Sequence, residues 1–147
     1  MLFRSDALDS IRRGHLLVLD YGASTSELAT RSPEWLRTYR GHERGGAPIE
    51  HVGGQDITAD VAVDQITEPW PADRVSAQAD FLRRHGIDEL VEEGRAVWHE
   101  RAHLGDLEAV RGRSRVREAE ALLDPTGLGA FTVLEWDRYG VVRFMCL

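Results

Sequence analysis

His15-Leu16-Leu17-Val18-Leu19-Asp20-Tyr21-Gly22 is the stretch on which the reading of this chain turns. Leu16 to Leu19 are all apolar, and Gly14 and Asp-Tyr-Gly bound them. So short an apolar run between breakers predicts a strand buried on both faces, as in parallel sheets. Such a strand requires a hydrogen-bonded neighbour on each side. The chain offers few. Ala130 to Trp136, AFTVLEW, is the second clear strand.

Outward from that strand the pattern mixes helix and strand. Ser5 to Arg13 predicts a short helix with Ala7, Leu8 and Ile11 on one face, stopped by Gly14. Residues 23–55 read as a long loop insertion. Within it, Ser32 as cap, Pro33 at the first helical position, and Trp35, Leu36 and Tyr39 as the apolar side predict one short helix. Asp56 to Ile66 reads as a strand running into a helical turn, broken by Glu68-Pro69-Trp70-Pro71. Arg74 to Ser76 predicts a brief strand. Ser76 then caps a helix closed by Gly86, and Asp88 caps the next. Gly105-Asp106 restarts a helix and Ser114 caps another. Asp124 to Gly127 is a turn. The tail 141–147 is apolar and is expected either to extend a sheet or to be disordered. The fold class is α/β, with 1–147 as one incomplete domain.

Composition narrows the function. The chain has 147 residues, 42% hydrophobic and 29% charged, with a net charge of −7. Nucleic acid is a poor partner for so acidic a surface. No apolar run is long enough to span a bilayer, so no membrane association is expected. The N-terminal MLFRSDALDSIRRG lacks the apolar core of a signal peptide. The single cysteine, Cys146, fits a reducing, cytoplasmic setting.

One motif demands weighing. Trp98 to His103 reads WHERAH and contains H-E-x-x-H at 99–103. On a helix, His99 and His103 would share a face, and Glu100 would polarise a zinc-bound water. Arg101, however, places a permanent charge inside the motif. No third ligand follows at a suitable spacing, and no run of strands precedes it. The zinc metallohydrolase is therefore a minor alternative, and no metal site is expected. A His42–His51–Asp56 site gains no support from loop spacing.

The ordered series GHLLVLDYG, LRTYRGH, GGQDITADVAVDQI, SAQADFLRRHGI and LLDPTGLGAFTVLEW resembles the C-terminal part of the MidA-type S-adenosyl-L-methionine (SAM) dependent methyltransferases. Their mitochondrial relatives assemble complex I and methylate an arginine of a partner subunit. The resemblance runs from about Ala7 to Trp136. It departs at Trp35, which precedes Leu36-Arg37 where the family usually has threonine. It implies a Rossmann-like class I methyltransferase fold, with LLVLDYG as the fifth strand of a seven-stranded sheet and AFTVLEW as one of the last two. The family's SAM site belongs to an N-terminal half that this sequence does not contain. Binding SAM in the usual way requires a glycine-rich turn after a strand. Gly45-Gly46 and Gly53-Gly54 lie in loop, and Gly127-x-Gly129 precedes a strand. No cofactor-binding residue is therefore expected in this chain, which alone should be inactive.

Ligands of open α/β sheets bind beyond the carboxyl ends of the strands. On that ground the catalytic candidates are Asp20, Tyr21, His42 and Asp56, and Gly22, Arg37, Tyr39 and Thr58 lie on the substrate side. Asp20 either orients a substrate guanidinium or amine or caps nearby backbone amides. The expected partners are a protein substrate and, at the open sheet edge, either the missing half or a second copy. A stand-alone interaction module using that edge is the main alternative to an enzyme.

Overall fold

The structure is a computed structural model that describes residues 10–31, 33–68 and 70–139. The expected N-terminal helix and the 141–147 tail lie outside the described residues, apart from Ser10 to Arg13 of the former; there the helix does not run to Gly14, because Arg13 and Gly14 already belong to the strand Arg13–Asp20. The chain divides into two compact units. The first is Met1–Leu16, Asp20–Asp73 and Glu135–Leu147, and the second is Leu17–Leu19 and Arg74–Leu134. Both combine strands and helices, so the mixed α/β class holds. No helix of the described residues is long and apolar enough to cross a membrane.

Strands β1 (Arg13–Asp20) and β8 (Thr132–Tyr139) contribute to both units. With β7 (Arg74–Ala77) they form a sheet in the order β1-β8-β7. Val133 is 0% and Leu134 2% exposed. Successive strand residues point to opposite faces, so β8 is buried on both. β1 is not. Leu16 and Val18 are half-buried, whereas Leu17 is 44% and Leu19 46% exposed. The strand predicted from LLVL is there, but its second face is open. Among the described residues it also has a neighbour on one edge only.

In the second unit, β7 leads into α3 (Gln78–Arg84). The Gln78 amide donates to the Phe131 carbonyl at 2.8 Å. Ser76, expected as the cap, lies in β7, and Ala77 takes that position. Gly86 follows with φ of 87°, the left-handed stop its sequence position suggested. It also caps α4 (Ile87–Arg101), so Asp88 falls inside that helix. Helix α5 (Leu107–Leu123) is continuous. Ser114 does not begin a new helix, because its hydroxyl donates within the helix to Glu118 at 2.8 Å.

WHERAH ends α4 and enters the turn to α5. Residues Ala102–Leu104 form a 3-10 turn, so His99 and His103 do not share one α-helical face. Both are exposed. Among the described residues no group of three or more His, Cys, Asp or Glu could hold a metal ion. Arg101 bonds Asp106 and reaches Glu108 at 3.0 Å. Asp106 in turn accepts from the Ala109 amide at 2.9 Å, capping α5. The motif's charged middle residue is thus the clasp of a helical hairpin.

The hairpin closes on two glycines. A Cβ at Gly94 would lie 2.8 Å from the Gly112 carbonyl oxygen, and one at Gly112 equally close to that of Gly94. The contact is with backbone, which cannot rotate away. Gly94→Ala should therefore lower stability by roughly 1–3 kcal/mol through overpacking, despite a helix-propensity gain of about 1 kcal/mol. Urea denaturation measures it, and a raised midpoint would contradict the close crossing.

The Asp106 clasp predicts a pH effect. The Arg101 hydrogen bond, then the Ala109 amide, lower the Asp106 carboxyl below its ordinary 3.8, against burial. A depressed folded-state pKa gives stabilisation that is complete above the unfolded value. It is lost as pH falls through the folded one. Far-UV circular dichroism should show acid unfolding beginning below about pH 4, with that component reduced in Asp106→Asn. An identical acid limb in the variant would refute the clasp.

In the first unit, β2 (Gly22–Ala23) pairs in parallel with β6 (Val61–Ala62). Helix α1 (Thr25–Thr30) follows, then β3 (Leu36–Arg40), β4 (Glu43–Arg44), β5 (Asp56–Ala59) and α2 (Val63–Thr67). The expected loop 23–55 therefore carries regular structure up to Arg44. The helix expected around Trp35–Tyr39 is strand β3, central in an antiparallel sheet β4-β3-β5. Gly41 (φ 55°) and His42 (φ 72°) form the two-residue turn between β3 and β4. Positive φ at both central residues matches the twist of a tight hairpin. Thr38, 4% exposed, donates its hydroxyl to the Gly46 carbonyl at 2.7 Å. The Gln55 amide donates to the carbonyls of Ala47, Pro48 and Glu50, shaping the loop before β5.

Candidate active site

The site lies in the first unit, where β1 ends. Asp20 Oδ1 accepts from the Tyr21 amide at 2.8 Å, so the carboxylate caps its own strand end. The Tyr21 carbonyl accepts from Val61 N at 2.7 Å. Gly22 then pairs with Val61 in the parallel β2–β6 ladder. The end of β1 is held by backbone bonds to the strand that follows β5.

The antiparallel register of β3 and β5 sets the rest. Arg37 pairs with Thr58 and Tyr39 with Asp56, and β4 places Arg44 opposite Tyr39. Directly opposed residues share a face. Arg37, Tyr39, Asp56, Thr58 and Arg44 therefore line one side of this sheet. Arg44 stands 5.8 Å over the Tyr39 ring and Arg37 5.3 Å over the Tyr21 ring. The structure thus gathers Tyr21, Arg37, Tyr39, Asp56 and Thr58, with Asp20 and Gly22 adjacent in sequence. It leaves out His42, which is exposed at the hairpin tip.

Asp60 organises the cluster, and the sequence reading passed over it. It lies just beyond β5, and its side chain is 9% exposed. Arg37 Nη2 donates to Asp60 Oδ1 at 2.5 Å, and Arg31 approaches the other oxygen at 3.6 Å. The Asp60 amide donates to the Trp35 carbonyl at 2.8 Å. The Asp60 hydrogen bond raises the Arg37 pKa more than burial lowers it, so this guanidinium stays charged. A part-buried arginine pinned by an acid on one side and an aromatic ring on another has little freedom. The spacing of Asp60 after Asp56-Ile57-Thr58 is the only sequence signal that marked it.

The turn from β1 to α1 is closed by its own side chains. The Ser24 amide donates to Glu27 Oε2 at 2.8 Å, and the Glu27 amide to Ser24 Oγ at 3.3 Å. Ser24 and Glu27 form a capping box within the stretch expected to be loop. The Thr25 amide donates to both oxygens of Asp64, at 3.0 and 3.1 Å, and its hydroxyl to Oδ1 at 2.9 Å. Burial raises the Asp64 carboxyl, but the Thr25 hydrogen bonds outweigh it and the net shift is downward. The amino-acid carboxylate of SAM would seek free amides at such a turn. Here two carboxylates already occupy them. The residues present do not fit a SAM cradle at this turn.

Residues 2–78 match the family described as "Putative S-adenosyl-L-methionine-dependent methyltransferase". That stretch is more than half of the chain and contains every residue of the cluster. The chain belongs to this methyltransferase family.

Two solved structures from Burkholderia thailandensis are similar to this methyltransferase chain. One is the native crystal structure of an uncharacterised protein, 25% identical with a TM-score of 0.63. The match covers 89% of this chain and 34% of that one. The other is bound to S-adenosyl-homocysteine and is 26% identical with a TM-score of 0.60, over 89% and 33% of the two chains. The chain therefore spans about one third of the length of these relatives. No curated protein matches it.

If Asp60 holds Arg37 in place, the pair should couple energetically. Asp60→Ala should cost about 1.5–3 kcal/mol, the range for a hydrogen bond to a charged group. The double variant with Arg37→Ala should cost less than the sum of the singles by at least about 0.5 kcal/mol. Denaturant unfolding of all four proteins provides the cycle. Additive losses would mean that the two side chains act independently.

Proposed function

We propose that this chain is the acceptor-side, C-terminal portion of a MidA-type SAM-dependent methyltransferase that methylates an arginine of a protein partner. The observation that carries the reading is the face shared by Tyr21, Arg37, Tyr39, Asp56 and Thr58 at the end of β1. Ligand sites of α/β sheets lie beyond the carboxyl ends of strands, where this cluster stands. Its chemistry suits a cationic, planar acceptor. Exposed carboxylates such as Asp20 and Asp56 attract the charge and accept its N–H groups. The Tyr21 and Tyr39 rings already carry guanidinium groups over them, the contact that an incoming arginine would reuse. Arg37 sets the position of that surface and Asp60 sets Arg37, so both act as positioning residues. In this reading His42 takes no part in the chemistry, because it projects from the hairpin tip.

The donor belongs elsewhere. The open edge of β1, with Leu17 and Leu19 exposed, supports addition of the strands that would complete a seven-stranded sheet. In that sheet β1 is the fifth strand, and β8 lies between β1 and β7 as the last. The S-adenosyl-homocysteine bound to a relative three times as long is consistent with a donor site in the additional sequence.

Calorimetric titration of S-adenosyl-homocysteine into the purified chain tests the division. The expected result is no saturable heat. Binding in the micromolar range would show that this chain holds a donor site of its own and would overturn the proposal.

A further inference from the structure

The two guanidinium–ring contacts of the candidate site are not equivalent. Arg37, over Tyr21 at 5.3 Å, has a side chain only 19% exposed and donates to Asp60 at 2.5 Å. Lifting it off the ring would break that ion pair as well. Arg44, over Tyr39 at 5.8 Å, is exposed. Among the described residues its side chain makes one hydrogen bond, to the Tyr39 hydroxyl at 3.5 Å, which is long and weak. It stands on the two-residue strand β4, just past the Gly41–His42 turn. An exposed cation over a ring contributes roughly two- to fivefold to an equilibrium constant. Arg37 is fixed, and Arg44 is only resting.

Tyr39 is also where the other requirement of a cationic guest is met. The β3–β5 register places Asp56 directly opposite it, and β4 places Arg44 on its other side. Opposed residues are about 5 Å apart at Cβ. Asp56 is exposed, so its carboxylate stands beside any guanidinium seated on the Tyr39 ring and accepts its N–H groups.

Resting on the reading of this face as the seat of an acceptor arginine, we propose that the acceptor guanidinium binds on Tyr39 and that Arg44 is its resident stand-in. The incoming side chain displaces Arg44, whereas Arg37 stays and keeps Tyr21 in place. Arg44 opposes a cationic guest in two ways. It covers the ring, and its charge repels the newcomer. An arginine backed by further polypeptide contacts overcomes both, and a lone guanidinium does so poorly. The arrangement thereby selects arginine within a docked protein.

Titrating the peptide acetyl-Gly-Arg-Gly-amide into the nitrogen-labelled chain, followed by nuclear magnetic resonance, tests it. The peptide should bind weakly, shifting the Arg44 Nε–H resonance and leaving that of Arg37 unmoved. Arg44→Gln should tighten binding about threefold. Arg40→Gln removes the same charge from the opposite face of β3 and should change nothing. Arg40 and Arg44 are both exposed, so these variants should keep the fold, which circular dichroism checks. Tyr39→Phe should retain the gain from Arg44→Gln, and Tyr39→Leu should abolish it. A peptide that binds the unmodified chain and Arg44→Gln alike overturns the proposal and leaves the acceptor reading standing. So does a gain that Arg40→Gln reproduces or that survives Tyr39→Leu, because it would report net charge and not the ring. Binding to none of the chains overturns the acceptor reading, and this proposal with it.

Discussion

Every strand must place its backbone N–H and C=O groups. Among the described residues, β8 is its sole partner in the sheet. β8 shows what a completed strand looks like, with neighbours on both edges and side chains buried on both faces. An eight-residue strand with exposed Leu17 and Leu19 and, among the described residues, one neighbour is a state that free-standing proteins usually avoid with charge, proline or cover. The strand thus carries the hydrophobicity of a sheet interior in the position of a sheet edge. Under the proposed function, that mismatch marks the edge at which the remaining strands of the sheet would add.

What β1 does at its end is more complete. The peptide of Tyr21 is bonded to Val61, and the ring of Tyr21 lies against Arg37. Asp60, one residue before Val61, holds that arginine. Three separate pieces of chain therefore meet through one ion pair of low exposure. Breaking a part-buried pair leaves an unmatched charge behind, so the geometry resists small perturbations. The same economy appears at Thr25 and Asp64, where a carboxylate from α2 closes the start of α1. Amides already bonded to such carboxylates are unavailable to another acceptor.

Local signals in the sequence were read well where neighbours in the chain decide the outcome. Leu16–Leu19, the Asp56–Ile66 strand-to-turn, Gly86 as a stop and Asp124–Gly127 as a turn are all in place. Errors came where distant partners decide. Pro33 and the spacing of Trp35, Leu36 and Tyr39 suggest a helix, yet Leu36–Arg40 finds β5 twenty residues away and becomes a central strand. Ser114 resembles a cap, but its hydroxyl is spent on Glu118 inside a continuous helix. Asp-Tyr-Gly, Leu-Arg-Thr-Tyr and Asp-Ile-Thr carry the family resemblance, and the candidate residues come mostly from these segments. That they share a face depends on the β3–β5 register, which no single segment encodes. Asp60 went unnoticed for the same reason. WHERAH is the converse case, a familiar pattern whose Arg101 serves the turn beside it.

Amide hydrogen exchange along β1 tests most directly whether this strand is an edge awaiting the rest of its sheet. Alternate amides of a strand point to opposite edges. If β8 is the only partner, those of Leu16–Leu19 that face β8 should exchange slowly, and those that face away should exchange at rates near an unstructured chain. Uniform protection along the strand would mean that this chain supplies a second neighbour itself, and the account of an incomplete methyltransferase sheet would fail.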